Sequence, residues 1–326
     1  MTYLNGLKKK EVIIYLKKNR TLSNFKNKIQ MKKRIFFAAL LSMSLSACNT
    51  GLLDQPEEVS RLKVKIRNNV QTKGLIEGNT LADGSEVGVT VLNTDNSDYD
   101  GIKGFKNVKF TASSDGGSQK WTTTKDILLS ATKGTLYAYY PYSTSVTDIS
   151  AVPVSATSEN QTDYMYGTPV SNLNNKNATA EVTLEHALAA VRLNISKGSF
   201  SGAGKITSVS VSGEAIATGA NLDTMTGELS DFTGKGTAIS PVFESFTVST
   251  TPEVKDFIVI PTGETKPFTI SIKVDGVTIE ANTPAIDLRE GVIAEFDVKV
   301  NSKAITIGSV SVTPWSNSPQ ESLEIL

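Results

Sequence analysis

A chain of 326 residues contains one cysteine, Cys48, and one histidine, His186. A single cysteine excludes an intrachain disulfide. A single histidine excludes the two-histidine helix of metalloproteases, and the pair together argues against a zinc site or a Cys–His dyad. Long hydrophobic runs are missing as well. The apolar stretch Ile35–Leu45 has eleven residues, whereas a membrane-spanning helix needs about 20. Helical periodicity is equally scarce, and no segment supports a helix longer than about two turns.

Basic charge also becomes scarce once the first 47 residues are set aside. The whole chain balances 33 Lys+Arg against 33 Asp+Glu. Residues 1–47 hold eleven of the basic and one of the acidic residues, which leaves 22 against 32, a charge of −10. An acidic body lacks the basic patches that meet phosphate, so nucleic acid is not an expected partner.

What is present begins with a leader. Met31–Cys48 reads MKKRIFFAALLSMSLSAC. Lys32, Lys33 and Arg34 form a basic n-region and Ile35–Leu45 an apolar h-region, too short to be a span. Leu45-Ser46-Ala47-Cys48 then resembles a bacterial lipobox, which implies cleavage between Ala47 and Cys48 and diacylation of the Cys48 thiol. Residues 1–30 are longer than such an n-region needs, so Met31 is the expected translation start; the alternative is a long basic leader that is also discarded. Residues 48–60 then form a polar, acidic tether.

From residue 61 onward short alternating segments are separated by turn residues, which is the pattern of an all-β chain. Leu62, Val64 and Ile66 alternate with Arg61, Lys63, Lys65 and Arg67, and a basic run ends at Lys73-Gly74. SEVGVTVLN (85–93), KNVKFTA (106–112) and the aromatic GTLYAYYPY (134–142) read as strands, with SSDGG (113–117) as a turn. In AEVTLEHALAAVRLNISKG (180–198) helical spacing competes with alternation, and a short turn or extended lead-in feeding a strand is expected. KITSVSVSG (205–213), ISPVFESFTVST (239–250), DFIVIPTG (256–263), FTISIKV (268–274) and GVIAEFDVKVN (291–301) read as strands. Asp275-Gly276 is a two-residue hairpin turn, and the change of phase in AITIGSVSVTPW (304–315) predicts a bulge at Gly308-Ser309. Similar openings near residues 61 and 189 divide the chain into two halves, 61–178 and 179–326.

Candidate chemistry is thin, and no enzyme, metal or cofactor is expected. GSFSGAGKI has Gly204-Lys205 but lacks the earlier glycine and the Ser/Thr of a phosphate loop. Asn96, Asp98, Asp100 and Gly101 resemble the opening of a calcium loop, but the twelfth position is Asn107 where a bidentate Glu is needed. His186 lies among Leu184, Ala187 and Leu188 with no nucleophile elbow nearby, which predicts a packed core histidine. Trp121, Tyr137, Tyr139 and Tyr140 read as sheet packing, with a sugar-stacking platform as the alternative.

Taken in order, LSAC, VKIRNNVQTKG, GSEVGVTV, GTLYAYYPY, LEHALAAVRLNI and SVSVTPW resemble the Bacteroidetes fimbrillins, lipoprotein precursors of type V pili. The resemblance spans Met31 to Leu326. It implies two tandem transthyretin-like β-sandwich domains, 61–178 and 179–326, after a lipoprotein signal peptide. It also implies assembly on the outer membrane by strand exchange with other fimbrial subunits, in a homo- or hetero-polymer that meets a host or bacterial surface. The resemblance further implies that a trypsin-like protease, often Arg-specific, cuts behind the first strand, and that the C-terminal strand of another subunit fills the vacated groove. In this sequence the displaced strand would carry Leu62, Val64 and Ile66. The processing sites would be Lys73 or Arg67. The donor strand would carry Ile305, Ile307, Val310 and Val312, followed by Leu323, Ile325 and Leu326. The competing function is a monomeric surface lipoprotein that binds glycans or other ligands. A Cys48→Ala change is expected to abolish incorporation of labelled palmitate, and persistent labelling would refute the lipobox assignment.

Overall fold

The computed structural model describes residues 58–68, 81–101, 103–115 and 118–315. The chain is all-β, and the helical elements among the described residues are two single 3-10 turns, Tyr99–Gly101 and Lys103–Phe105. The first half contributes β1 (Ser60–Arg61), β2 (Lys63–Asn68), β3 (Glu86–Asn93), β4 (Val108–Asp115), β5 (Ser118–Thr122), β6 (Leu128–Leu129), β7 (Gly134–Tyr140), β8 (Val152–Ser155), β9 (Met165–Gly167), β10 (Val170–Leu173) and β11 (Thr179–His186). Seven of these form a sheet in the order β2-β11-β9-β7-β3-β4-β5, with β10 attached to β7. The sheet encloses a cluster built from Val64, Ile66, Val87, Val89, Leu136, Val182 and their neighbours. Alternation explains β11, where Ala180, Val182, Leu184 and His186 point inward and Glu181 and Glu185 outward. Strand β3 departs from it: all six central residues are buried, because both faces are covered, with Val87, Val89 and Val91 in the first core and Leu92 against Tyr137 and Ile149.

The second half contributes β12 (Ala189–Lys197), β13 (Lys205–Ser212), β14 (Ile216–Ala217), β15 (Gly219–Leu222), β16 (Leu229–Thr233), β17 (Phe246–Thr247), β18 (Glu253–Pro261), β19 (Thr269–Val274), β20 (Val277–Asn282), β21 (Val292–Val300) and β22 (Ile305–Pro314). Two sheets, β14-β18-β12-β21-β22 and β17-β13-β19-β20, face each other across a core that includes Val191, Leu193, Val209, Ile270, Phe268 and Phe296. The Phe268 and Phe296 rings meet edge to face at 5.3 Å, a favoured aromatic geometry. The hairpin between β19 and β20 turns on Asp275 (φ 47°) and Gly276 (φ 82°), the positive-φ pair that two-residue turns require. The bulge expected at Gly308-Ser309 is present: Phe296 opposes Val310 and Val298 opposes Ile307, so Asp297 alone faces two residues.

Three expectations are corrected. Residues 179–186 were expected to open the second half, but β11 pairs with β2 and β9, so the chain changes sheet at Ala187-Leu188. The ambiguous segment is thus two strands in two sheets. The long strand expected over 239–250 shrinks to Phe246–Thr247 and a single bridge from Ile239 to Val211. Pro241 lacks an N–H for a ladder, and Val242 stands 99% exposed. Of the turn expected at 113–117, Ser113–Asp115 instead continue β4 against β5.

The halves are not separate in packing. Strand β8 leaves its half to pair with β15. A third apolar cluster joins Tyr139, Val152 and Val154 to Leu188, Ala217, Ile258 and Trp315. The described residues accordingly belong to one compact unit.

Candidate functional site

The sequence directs attention to the two ends of the folded region, and the structure gives each a defined seat. Among the described residues, strand β2 lies at the end of its sheet and pairs, in parallel, with β11. Register runs from Lys63 opposite Thr179 to Asn68 opposite Leu184. Leu62, Val64 and Ile66 are 5%, 9% and 6% exposed and fill the core beneath. Burying three such side chains contributes roughly 5–9 kcal/mol in total. Their alternates Lys63, Lys65 and Arg67 face solvent.

The start of the strand is tied down by short contacts. The Leu62 N–H donates to Ile127 at 2.9 Å and the Lys63 N–H to Ala178 at 2.8 Å. The Ser60 hydroxyl donates to the Asn175 carbonyl at 2.6 Å, and Ser60 and Arg61 form a two-residue ladder with β6. On the outer face, Lys65 Nζ lies 2.9 Å from Glu181 and Arg67 lies 3.4 Å from the same carboxylate. Arg61 pairs with Asp126 at 2.7 Å. Hydrogen bonding from Lys65, with the charges of Lys65 and Arg67, holds the Glu181 carboxyl below its ordinary value. Exposed pairs of this kind contribute little individually, so the apolar seat dominates and the charges tune it. Glu181 and Asp126 were missed from the sequence alone, although AEVTLE is the acidic complement of LKVKIR.

The other end is strand β22, at the edge of the five-stranded sheet against β21. Ile305 belongs to the core, Ile307 and Val310 pack partly against it, and Val312 is 43% exposed. The hold therefore weakens along the strand, until Trp315 restores it. Its N–H donates to the Gly291 carbonyl at 2.7 Å. Its indole stacks on the His186 imidazole, with centroids 3.8 Å apart and planes within 6°. His186 Nδ1 lies 2.8 Å from Asp163 Oδ2, and both side chains are sealed from solvent. Burial pushes the Asp163 carboxyl up, against the opposing pull of His186. No substrate can reach this pair, so it is a packing element, as the surroundings of His186 predict. Neither Asp163 nor Trp315 carried a sequence signal for it.

The other candidates disperse. Asp98 pairs with Lys106 at 2.6 Å, Asp100 accepts from the Ser130 hydroxyl at 2.5 Å, and Asn96 accepts from the Tyr137 hydroxyl at 3.2 Å. Three partners in three directions do not make a cation cage, and no group of three potential ligands converges among the described residues. Tyr137 and Tyr139 are buried, with the Tyr139 hydroxyl donating to Asn107 at 2.8 Å. Tyr140 and Trp121 pack against a different cluster. The four aromatics therefore form no common exposed face. Arg67 lies inside β2, opposite Thr183. Lys73, Ala47 and Cys48 lie outside the described residues.

The fimbrillin-like family profile matches residues 72–315. The chain belongs to the fimbrillin-like family. The match starts just behind β2 and stops at Trp315. Solved structures share the fold. A candidate cell adhesion protein of Bacteroides uniformis aligns with a TM-score of 0.62 at 19% identity, over 78% of this chain and 98% of its own. A second, from Bacteroides ovatus, aligns at 0.60 and 15% identity, over 80% of this chain and 100% of its own. A fimbrial protein of Bacteroides vulgatus aligns at 0.53 and 12% identity, over 78% of this chain and 99% of its own. No curated protein sequence matches the chain.

The charge on Glu181 yields a pH signature for this fimbrillin-like chain. A carboxyl held below its ordinary value of 4.5 favours the seated strand when ionised. Its contribution is complete above that value and is lost as pH falls through the lowered one. Opening of β2, read as amide exchange at Lys63–Arg67 corrected for intrinsic rate, should rise over that acid window. The rise should be smaller in Glu181→Gln, and identical profiles in the two proteins would contradict the assignment.

Proposed function

We propose that the chain is a structural subunit of a surface fimbria, exported as a lipoprotein and held in the outer membrane through a lipid on Cys48. Two β-sandwich domains in tandem carry it, with the junction at Ala187-Leu188. In this reading β2 is a placeholder. It completes the first core during export and leaves when the chain is cut at Lys73 or Arg67. The strand of another subunit then takes its place. The chain's own C-terminal strand, with Ile305, Ile307, Val310 and Val312, is donated to a neighbour.

The observation that carries the reading is the position of β2. A strand whose apolar side chains complete a core, yet which sits at the end of its sheet, can leave as a unit. Its departure opens a hydrophobic groove flanked by the unpaired N–H and C=O groups of β11. By contrast β12, which opens the second half and also pairs in parallel, is locked between β18 and β21. Family membership and the fimbrial neighbour support the role, and the family match begins behind β2. Of the two cutting sites Arg67 is the poorer, because a protease needs unpaired backbone and Arg67 lies in the ladder opposite Thr183. The competing reading, a monomeric glycan-binding lipoprotein, calls for a row of exposed aromatics that Trp121, Tyr137, Tyr139 and Tyr140 do not form.

Cutting behind β2 should make that strand exchangeable. A purified chain cut between residues 68 and 74 and mixed with an isotope-labelled peptide of residues 60–68 should take up the label, read by intact mass after native separation. The uncut chain should take up none. A cut chain that keeps its own strand indefinitely in excess peptide would sink the placeholder reading.

A further inference from the structure

Resting on the placeholder reading, the dimensions of the β2 seat allow the donor that fits it to be compared with the donor this chain carries. The seat accepts three consecutive inward side chains, Leu62, Val64 and Ile66, at i, i+2 and i+4, each at least 91% buried. Its outer rim presents Glu181, which holds both Lys65 and Arg67, and Asp126, which holds Arg61. The occupant is therefore an apolar-basic alternating strand lying on an acidic rim.

The C-terminal strand meets neither demand. An extended strand shows alternate residues on one face. One face of 304–315 offers Ile305 and Ile307 and then Ser309; the other offers Gly308, Val310, Val312 and then Pro314, which has no N–H for a ladder. No unbulged window places three large aliphatic side chains in sequence. In its own sheet the strand solves this with the bulge opposite Asp297, where the phase shifts between Ile307 and Val310. Asp297 also accepts from the Ser309 hydroxyl, so the bulge has a dedicated partner there. Strand β11 has no irregularity in its register with β2. The charge is also wrong: residues 304–326 contain no Lys or Arg and carry Glu321 and Glu324.

We propose that the β2 groove of this chain is selective against the chain's own C-terminal strand and accepts a strand from a different subunit. That strand has aliphatic residues at i, i+2 and i+4, alternating with basic residues that meet Glu181 and Asp126. The chain thus joins unlike neighbours at its two ends and does not repeat as a homopolymer. The lost aliphatic contact is the larger part of the discrimination. One unfilled pocket costs at least about tenfold in affinity, and the unmatched carboxylates add about twofold to fivefold.

The test uses the full chain with a site-specific protease sequence placed over residues 69–73, cut, and carrying a fluorescent label on the β2 side. Displacement of the labelled strand is measured against three peptides: residues 60–68, residues 303–315, and residues 303–315 lacking Gly308. Removing Gly308 brings Ile305, Ile307, Val310 and Val312 onto one face. The 60–68 peptide should displace the label. The 303–315 peptide should need at least about ten times more, and the deletion should recover most of that difference. A 60–68 peptide with Lys65→Ser and Arg67→Ser should fall severalfold behind its parent. Equal displacement by 303–315 and 60–68 overturns the selectivity while leaving an exchangeable groove. Failure of the 60–68 peptide itself to exchange overturns the groove, and the selectivity falls with it.

Discussion

The parallel ladder between β2 and β11 is the constraint on which the rest of the structure depends. It seats Leu62, Val64 and Ile66 in the first core, and among the described residues β2 is the terminal strand of its sheet. Most edge strands are guarded by charge, brevity or twist against pairing with strangers. Here the guard is a strand of the same chain, basic on its outer face and aliphatic on its inner one. Removing it would uncover an apolar trough and a row of backbone donors and acceptors together. Under the proposed function, this is how an edge strand serves assembly.

The C-terminal end obeys the opposite logic. β22 is shallowly packed over most of its length, with Val312 turned largely to solvent, and its anchors are Ile305 at one end and Trp315 at the other. Trp315 does not pack within its own sheet alone. It stacks on His186, the last residue of β11, and so contacts the very strand that holds β2. Gly291 completes the corner, its carbonyl accepting from Trp315 and its N–H donating to Leu188. Strand β2 and Trp315 therefore converge on β11: one on its ladder, the other on its final side chain. The buried Asp163–His186 pair sits at that corner, with Nδ1 2.8 Å from Oδ2 and both side chains sealed from solvent.

Much of this was legible from residue order. The alternation of Leu62, Val64 and Ile66, the Asp275-Gly276 turn and the Gly308-Ser309 bulge are local patterns, and each appears as read. The lone histidine surrounded by Leu184, Ala187 and Leu188 is a core residue. What failed was non-local. The 239–250 segment alternates well enough for a strand, but Pro241 has no N–H for a ladder, and pairing with β13 is confined to the Ile239 bridge and Phe246–Thr247. The 180–198 segment was read as one lead-in feeding one strand because β11 and β12 are both apolar and nearly contiguous, and only their partners tell them apart. Short strands such as β8, β15 and β16 have too few residues to show a period. Asp163 and Trp315 lie 152 residues apart, and no local pattern announces that they enclose the same imidazole.

The most direct measurement is the N-terminal sequence, by mass spectrometry, of this chain extracted from sheared surface fimbriae of its own cells. If β2 is a placeholder, the polymerised chain begins beyond Asn68 and yields no peptide containing Leu62, Val64 and Ile66. Fimbria-borne chain that still carries residues 60–68 in full would contradict it.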